Sequence, residues 1–135
     1  MTKYYRTREG ESTAIDTKNQ LTTCGSEPAP GPLLVPGGAK KLAGIIVAAS
    51  SNFGAVGSAN ALIRLEGPGL PNGPETMIVA GVGVTIATGG QAVMKAQYYP
   101  IDADVTVANE ILIFGEMTGA DVGQISYGVT VVFSA

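Results

Sequence analysis

The sequence predicts an all-β protein of about eight antiparallel strands, packed as a sandwich or small barrel. Three observations predict it. Several segments alternate apolar and polar residues with the two-residue period of a half-buried strand. Turn-forming residues separate these segments roughly every 8–12 positions. No window of about 12 residues carries a helical apolar stripe free of glycine, proline or β-branched runs.

Residues 1–10 (MTKYYRTREG) are polar and basic with no apolar stretch behind them, so they read as an extended arm rather than a leader. Residues 12–16 and 20–23 are candidates for short strands. Residues 26–38 (SEPAPGPLLVPGG) hold four of the eight prolines. Proline fixes φ and removes a donor, which predicts an extended link there. Leu33, Leu34 and Val35 are its apolar contacts. The chain therefore divides into an arm and link, 1–38, and a sandwich domain, 39–135.

Within that domain, residues 42–49 form an apolar, β-branched strand, too short to span a bilayer. Residues 61–66 place Ala61, Ile63 and Leu65 inward, with Arg64 and Glu66 outward. Residues 77–86 are again apolar and β-branched, with a turn signal at Gly81-Val82-Gly83. Residues 92–98 form a short strand, stopped by a turn at Pro100. Ile101, Ala103, Val105 and Val107 alternate with Asp102, Asp104 and Thr106. Residues 111–117 (ILIFGEM) are apolar on both faces, as in a central strand or one covered by a neighbouring subunit. In the last segment Ile125, Tyr127, Val129, Val131 and Phe133 share one face. Gln124, Ser126, Gly128 and Thr130 share the other. Turns are expected at 52–57, 67–74, 89–90, 108–110 and 118–123. Asn72-Gly73 and Gly89-Gly90 suit tight reversals with positive φ.

Composition narrows the chemistry. There is no histidine, no tryptophan and one cysteine among 135 residues. A His-based triad, a His-ligated metal, a four-cysteine zinc site and an internal disulfide are ruled out. Net charge is −3, unevenly placed: +2 over residues 1–41 and −5 over 42–135. Only nine of the 94 residues from 42 onward are charged. An isolated domain keeps itself in solution with a charged, mixed surface. So sparse a surface points to one covered by something else.

The candidate sites are few. Asp102 and Asp104 share one strand face about 7 Å apart. With Asp121 (and Glu110 nearby) they are the weak candidate for a Ca²⁺ site. Cys24 has no histidine to serve as its base. No GxSxG motif occurs, and nothing singles out Lys95 or a Ser–Lys pair. Gly81-Val82-Gly83 lacks the rest of a dinucleotide-binding pattern. Tyr98-Tyr99-Pro100 and Tyr127 offer either a stacking surface or interface packing, and packing is favoured. Lys3, Arg6 and Arg8 beside Glu9 and Glu11 are too sparse for a phosphate-binding arm, so direct nucleic-acid contact is not expected. No enzyme activity, cofactor or membrane insertion is expected.

A basic arm (MTKYYRTREG), a Pro-rich link (SEPAPGPLLVPGG) and strands such as IDADVTV, ILIFGEM and ISYGVTVVF form an organisation that resembles small jelly-roll capsid and decoration proteins of viruses. The resemblance implies an eight-stranded single jelly roll with an extended N-terminal arm. It implies a virion subunit, assembled in the host cytoplasm, that contacts copies of itself and other virion proteins. The arm would reach a neighbour through Tyr4, Tyr5, Leu33, Leu34 and Val35. Two alternatives stand beside it. One is an extracellular filament subunit assembled by donor-strand exchange. The other is a carbohydrate- or ligand-binding β-sandwich module.

Overall fold

A computed structural model describes residues 2–13, 17–24, 27–28, 32–53, 57–66, 76–86, 90–107, 110–119 and 123–135. All regular structure among them is strand. In chain order the strands are β1 (Lys3–Ser12), β2 (Lys18–Gln20), β3 (Thr23–Cys24), β4 (Glu27–Pro28), β5 (Leu33–Leu34), β6 (Lys41–Phe53), β7 (Gly57–Glu66), β8 (Thr76–Ile86), β9 (Gly90–Asp104), β10 (Glu110–Gly119) and β11 (Gly123–Ser134). Seven are long and four are short, where the sequence predicts about eight. No helix among the described residues is long and apolar enough to cross a membrane.

Every pairing is antiparallel. One sheet runs β4-β3-β1-β11-β6-β9, the other β2-β10-β7-β8, with β5 added beside β10. The chain is an antiparallel β-sandwich. β1 pairs with the last strand and β2 with the one before it, the outer part of the nested ribbon from which a jelly roll is wound, and rolling sets β6 beside β11 and β7 beside β10. β9 then lies beside β6, and β8 beside β7.

The alternating segments fill the space between the sheets. Ile125, Val129, Val131 and Phe133 of β11 are fully buried, as are Ile63 and Leu65 of β7, Ile111 of β10, and Leu42, Ile45 and Val47 of β6. Ala103 and Val105 join this core, but Val107, expected to continue it, lies past the end of β9 and is 64% exposed.

Three turn signals behave differently from their local chemistry. Gly81 and Gly83 sit inside β8, opposite Leu62 and Asn60 of β7. Pro100 lies within β9, beside a register shift against β6. β9 is a sheet edge. An edge strand needs donors on one side only, so it tolerates a proline that a central strand excludes. Thr118 and Gly119 continue β10. The turns expected at 67–74 and around Gly89 fall outside the described residues, as do 14–16 of the first short-strand candidate.

Described segments of the first 38 residues pair and pack with this sandwich. β1 pairs with β11 over its whole length, from Lys3 opposite Ser134 to Ser12 opposite Ile125. Leu21, Leu33 and Val35 belong to the same core cluster as β11. Ser12 is buried, and its Oγ lies 2.9 Å from Asn19 Oδ1, joining the end of β1 to β2 in the opposite sheet. The link ends in a tight turn, closed by the Ala39 amide donating to the Pro36 carbonyl at 3.1 Å. Gly38 takes φ +90° at its third position, which a type II turn reserves for glycine.

Gly44 permits the tightest approach in the six-stranded sheet. A Cβ there would lie 2.5 Å from the Tyr99 carbonyl oxygen and 2.6 Å from Tyr98 Oη. A Cβ at Gly128 in β11 would meet nothing within 4 Å. The expected outcome is that Gly44→Ala costs about 1–3 kcal/mol, as overpacking does, while Gly128→Ala stays within about 0.5 kcal/mol. Urea unfolding of the two variants checks the contrast.

Candidate functional site

The two outer faces of the sandwich differ in electrostatics. On the five-stranded sheet, Lys18, Arg64, Glu66 and Glu116 surround Phe114. Register places Glu116 opposite Lys18, and Phe114 opposite Arg64. Lys18 Nζ lies 4.4 Å from the Phe114 ring centroid and 2.9 Å from Glu66 Oε1. Arg64 Nε points to Glu116 Oε1 at 3.6 Å, an ion pair too long for a hydrogen bond. Two ion pairs thus flank one aromatic ring on this face.

The outer face of the six-stranded sheet is different. The β1–β11–β6–β9 register sets side chains in rows. One row is Tyr5, Val132, Gly44 and Pro100. The next is Thr7, Thr130, Ile46 and Tyr98. Neither contains a charged residue. Thr7 and Thr130 share a side-chain hydrogen bond of 2.9 Å, so both point to this face. Tyr5 and Tyr98 stand about half exposed at either side, 53% and 51%. Val132 and Gly44 are buried between them. Among the described side chains, charge resumes beyond the rows. Lys3, Lys41, Asp102 and Asp104 lie at one end, Glu9 and Glu11 at the other.

The described residues among those singled out in the sequence take the following places. Asp102 and Asp104 are exposed on β9, and both face Lys41 of β6, at 3.8 and 2.7 Å. The hydrogen bond to Asp104, with the charges of both carboxylates, holds the Lys41 ammonium above the ordinary lysine range. A raised value means that any stability from this exposed group is present below the ordinary lysine range and is lost as pH rises past it. Lysine here stands where the sequence allowed a metal ion. Asp121 lies outside the described residues, and no cluster of three acidic, histidine or cysteine residues occurs among the described ones.

Tyr98 and Tyr99 point to opposite faces. Tyr98 covers Gly44 on the outside, while Tyr99 packs against the core, so the pair forms no continuous stacking platform. Tyr4 turns inward against the core, and its hydroxyl approaches Gly38. Leu33 and Val35 are buried in the chain's own core, whereas Tyr5 and Leu34 are exposed, Leu34 at 60%. Of the five arm residues, Tyr5 and Leu34 are thus the two on the surface. Cys24 lies in β3. A shallow depression is lined by Glu9, Gly10, Glu11, Thr23 and Ser126. The Thr23 hydroxyl donates to the Glu9 carbonyl there, and the Gln124 amide donates to Glu11.

The sequence marks Tyr5 and Tyr98 singly, but not the uncharged face they bound. The signal was present as the charge-poor outer positions Thr130 and Val132. Assembling it needed the strand order.

Comparison with known proteins finds no matching family model and no matching curated protein. Among solved structures, a chain from the structure of infectious bursal disease virus, Gx strain, aligns with 96% of this chain at 15% identity and a TM-score of 0.25. This chain covers 32% of that one. A superposition of that quality carries no functional argument.

Lys41 already engages both carboxylates of the acidic pair on β9. The expected outcome is that Ca²⁺ at roughly 5 mM leaves the melting temperature within about 1 °C. Differential scanning fluorimetry checks this, and a rise of several degrees would restore a calcium site.

Proposed function

We infer that this protein is a non-enzymatic structural subunit that assembles with copies of itself, in the setting of a virion. The observation that carries this reading is the asymmetry of the two outer faces. A sheet face that meets water carries polar residues at its outward positions. The five-stranded sheet follows that rule with its crossed ion pairs. The six-stranded sheet presents two uncharged rows bounded by half-exposed tyrosines. Tyrosine suits surfaces that become half buried between partners.

The edges of the sandwich explain why the chain does not associate without control. Along residues 3–8 of β1 the charged side chains are all cations, Lys3, Arg6 and Arg8. Edge-to-edge pairing of two such strands would bring like charges together. β9 carries Pro100, which has no amide hydrogen, and Asp102 at φ +57°. These are the devices by which natural sheets block edge pairing. Association is left to the faces and the N-terminal segment. A neighbour's β1 could occupy the place of this chain's own, with the same ten register pairs, so arm exchange remains compatible with the fold.

The chain has no histidine to serve as a general base, which supports the non-enzymatic reading.

The test is native mass. At about 100 µM, light scattering after size exclusion is expected to give a multiple of the 13.7 kDa chain, with discrete particles in negative stain. A 13.7 kDa monomer persisting at that concentration overturns the reading.

A further inference from the structure

We propose that the outer face of the six-stranded sheet is a two-fold interface with a second copy of this chain, its axis lying along the row Thr7, Thr130, Ile46 and Tyr98. This rests on the self-assembly reading above and gives it a geometry.

The argument begins with β1. Its outward residues are Lys3, Tyr5, Thr7, Glu9 and Glu11. They run from positive through uncharged to negative, with Thr7 in the middle. Among the described residues, neither Lys3, Glu9 nor Glu11 has an ion-pair partner. A two-fold axis through Thr7, in the plane of the interface and across the strands, lays a second β1 antiparallel on the first. Lys3 of each copy then meets Glu9 and Glu11 of the other. An isologous interface requires this self-complementarity.

An axis running along the strands instead would place Lys3 over Asp104 of the second copy. Lys41 already engages Asp104, so Lys3 would gain no free carboxylate there. Charge complementarity therefore favours the axis across the strands.

Shape agrees. The axis brings the row of Tyr5, Val132, Gly44 and Pro100 over the row of Glu9, Gly128 and Ala48. Tyr5, the exposed knob of the first row, is carried toward Gly128, above which an added Cβ would meet nothing. Size agrees as well. Four strands spaced about 4.8 Å apart, over nine residues at about 3.3 Å, make a face of roughly 500 Å². Two copies together bury about 1,000 Å², the lower bound of a specific interface.

The test uses the full chain and sedimentation velocity across a concentration series. Gly128→Lys is the disrupting variant, because its site has room in the isolated chain. It is expected to melt like the parent and to run as a monomer. Lys3→Glu alone, and Glu9→Lys with Glu11→Lys, are each expected to weaken self-association by about tenfold or more. Mixing those two variants is expected to restore it, since each then meets opposite charges on both sides of the axis. If the parent associates and the normally melting Gly128→Lys variant associates as tightly, the face is not the interface and this inference falls, while self-assembly by another route, such as arm exchange, stands. If the charge variants are weakened and their mixture is not restored, the two-fold arrangement is overturned. A parent that is monomeric throughout overturns the self-assembly reading beneath it.

Discussion

The register of β11 is the constraint on which the rest of the structure depends. This strand is paired on both edges, with β1 from Ile125 to Ser134 and with β6 along its whole length. Its odd-numbered residues Ile125, Val129, Val131 and Phe133 form the floor of the core, without exposed surface. Its even-numbered residues from Gln124 to Val132 form the centre of the outer face. A slip of one residue would exchange the two sets, placing threonine and serine in the core and phenylalanine in water. The fully buried side chains make that exchange costly. Core and outer face are thus specified by one alternation.

The strands were legible in the sequence wherever one face is buried and the other is wet. β11, β7 and the end of β9 alternate cleanly, and their inward residues are the buried ones. Legibility failed where the decisive partner is distant in the chain. Pro100 and Gly81-Val82-Gly83 carry turn chemistry, yet sheet pairing holds both in strands. The polar β1 gives no local sign that β11 will pair with it. Leu33 and Val35 look like contacts offered to a neighbour, and tertiary packing places them in their own core. The candidate face was the least legible feature. Its residues come from β1, β6, β9 and β11, and only strand order sets them in rows.

Charge sparsity takes on a specific meaning once it is placed on the fold. Lys18, Arg64, Glu66 and Glu116 are spent on the five-stranded sheet, where each has a partner within 4 Å. Asp102, Asp104 and Lys41 answer one another at the rim. Exposed pairs of this kind add little stability, typically under about 1 kcal/mol. Their consequence is positional. They leave the middle of the opposite face without a charge, so burying that face would strand no ion.

β1 is where folding and association meet. Its inward residues Tyr4 and Ser12 close the sandwich, Ser12 by reaching Asn19 across the two sheets. Its outward residues supply a full strand of the uncharged face and both ends of its charge gradient. Removing β1 would therefore uncover the edge of β11 and erase the self-complementary pattern together. The same outward residues would occupy the same places whether β1 comes from its own chain or from a neighbour, because the ten register pairs with β11 are unchanged. Arm exchange and face-to-face contact are then compatible rather than competing. The first decides whose strand completes the sheet, and the second uses the sheet once it is complete.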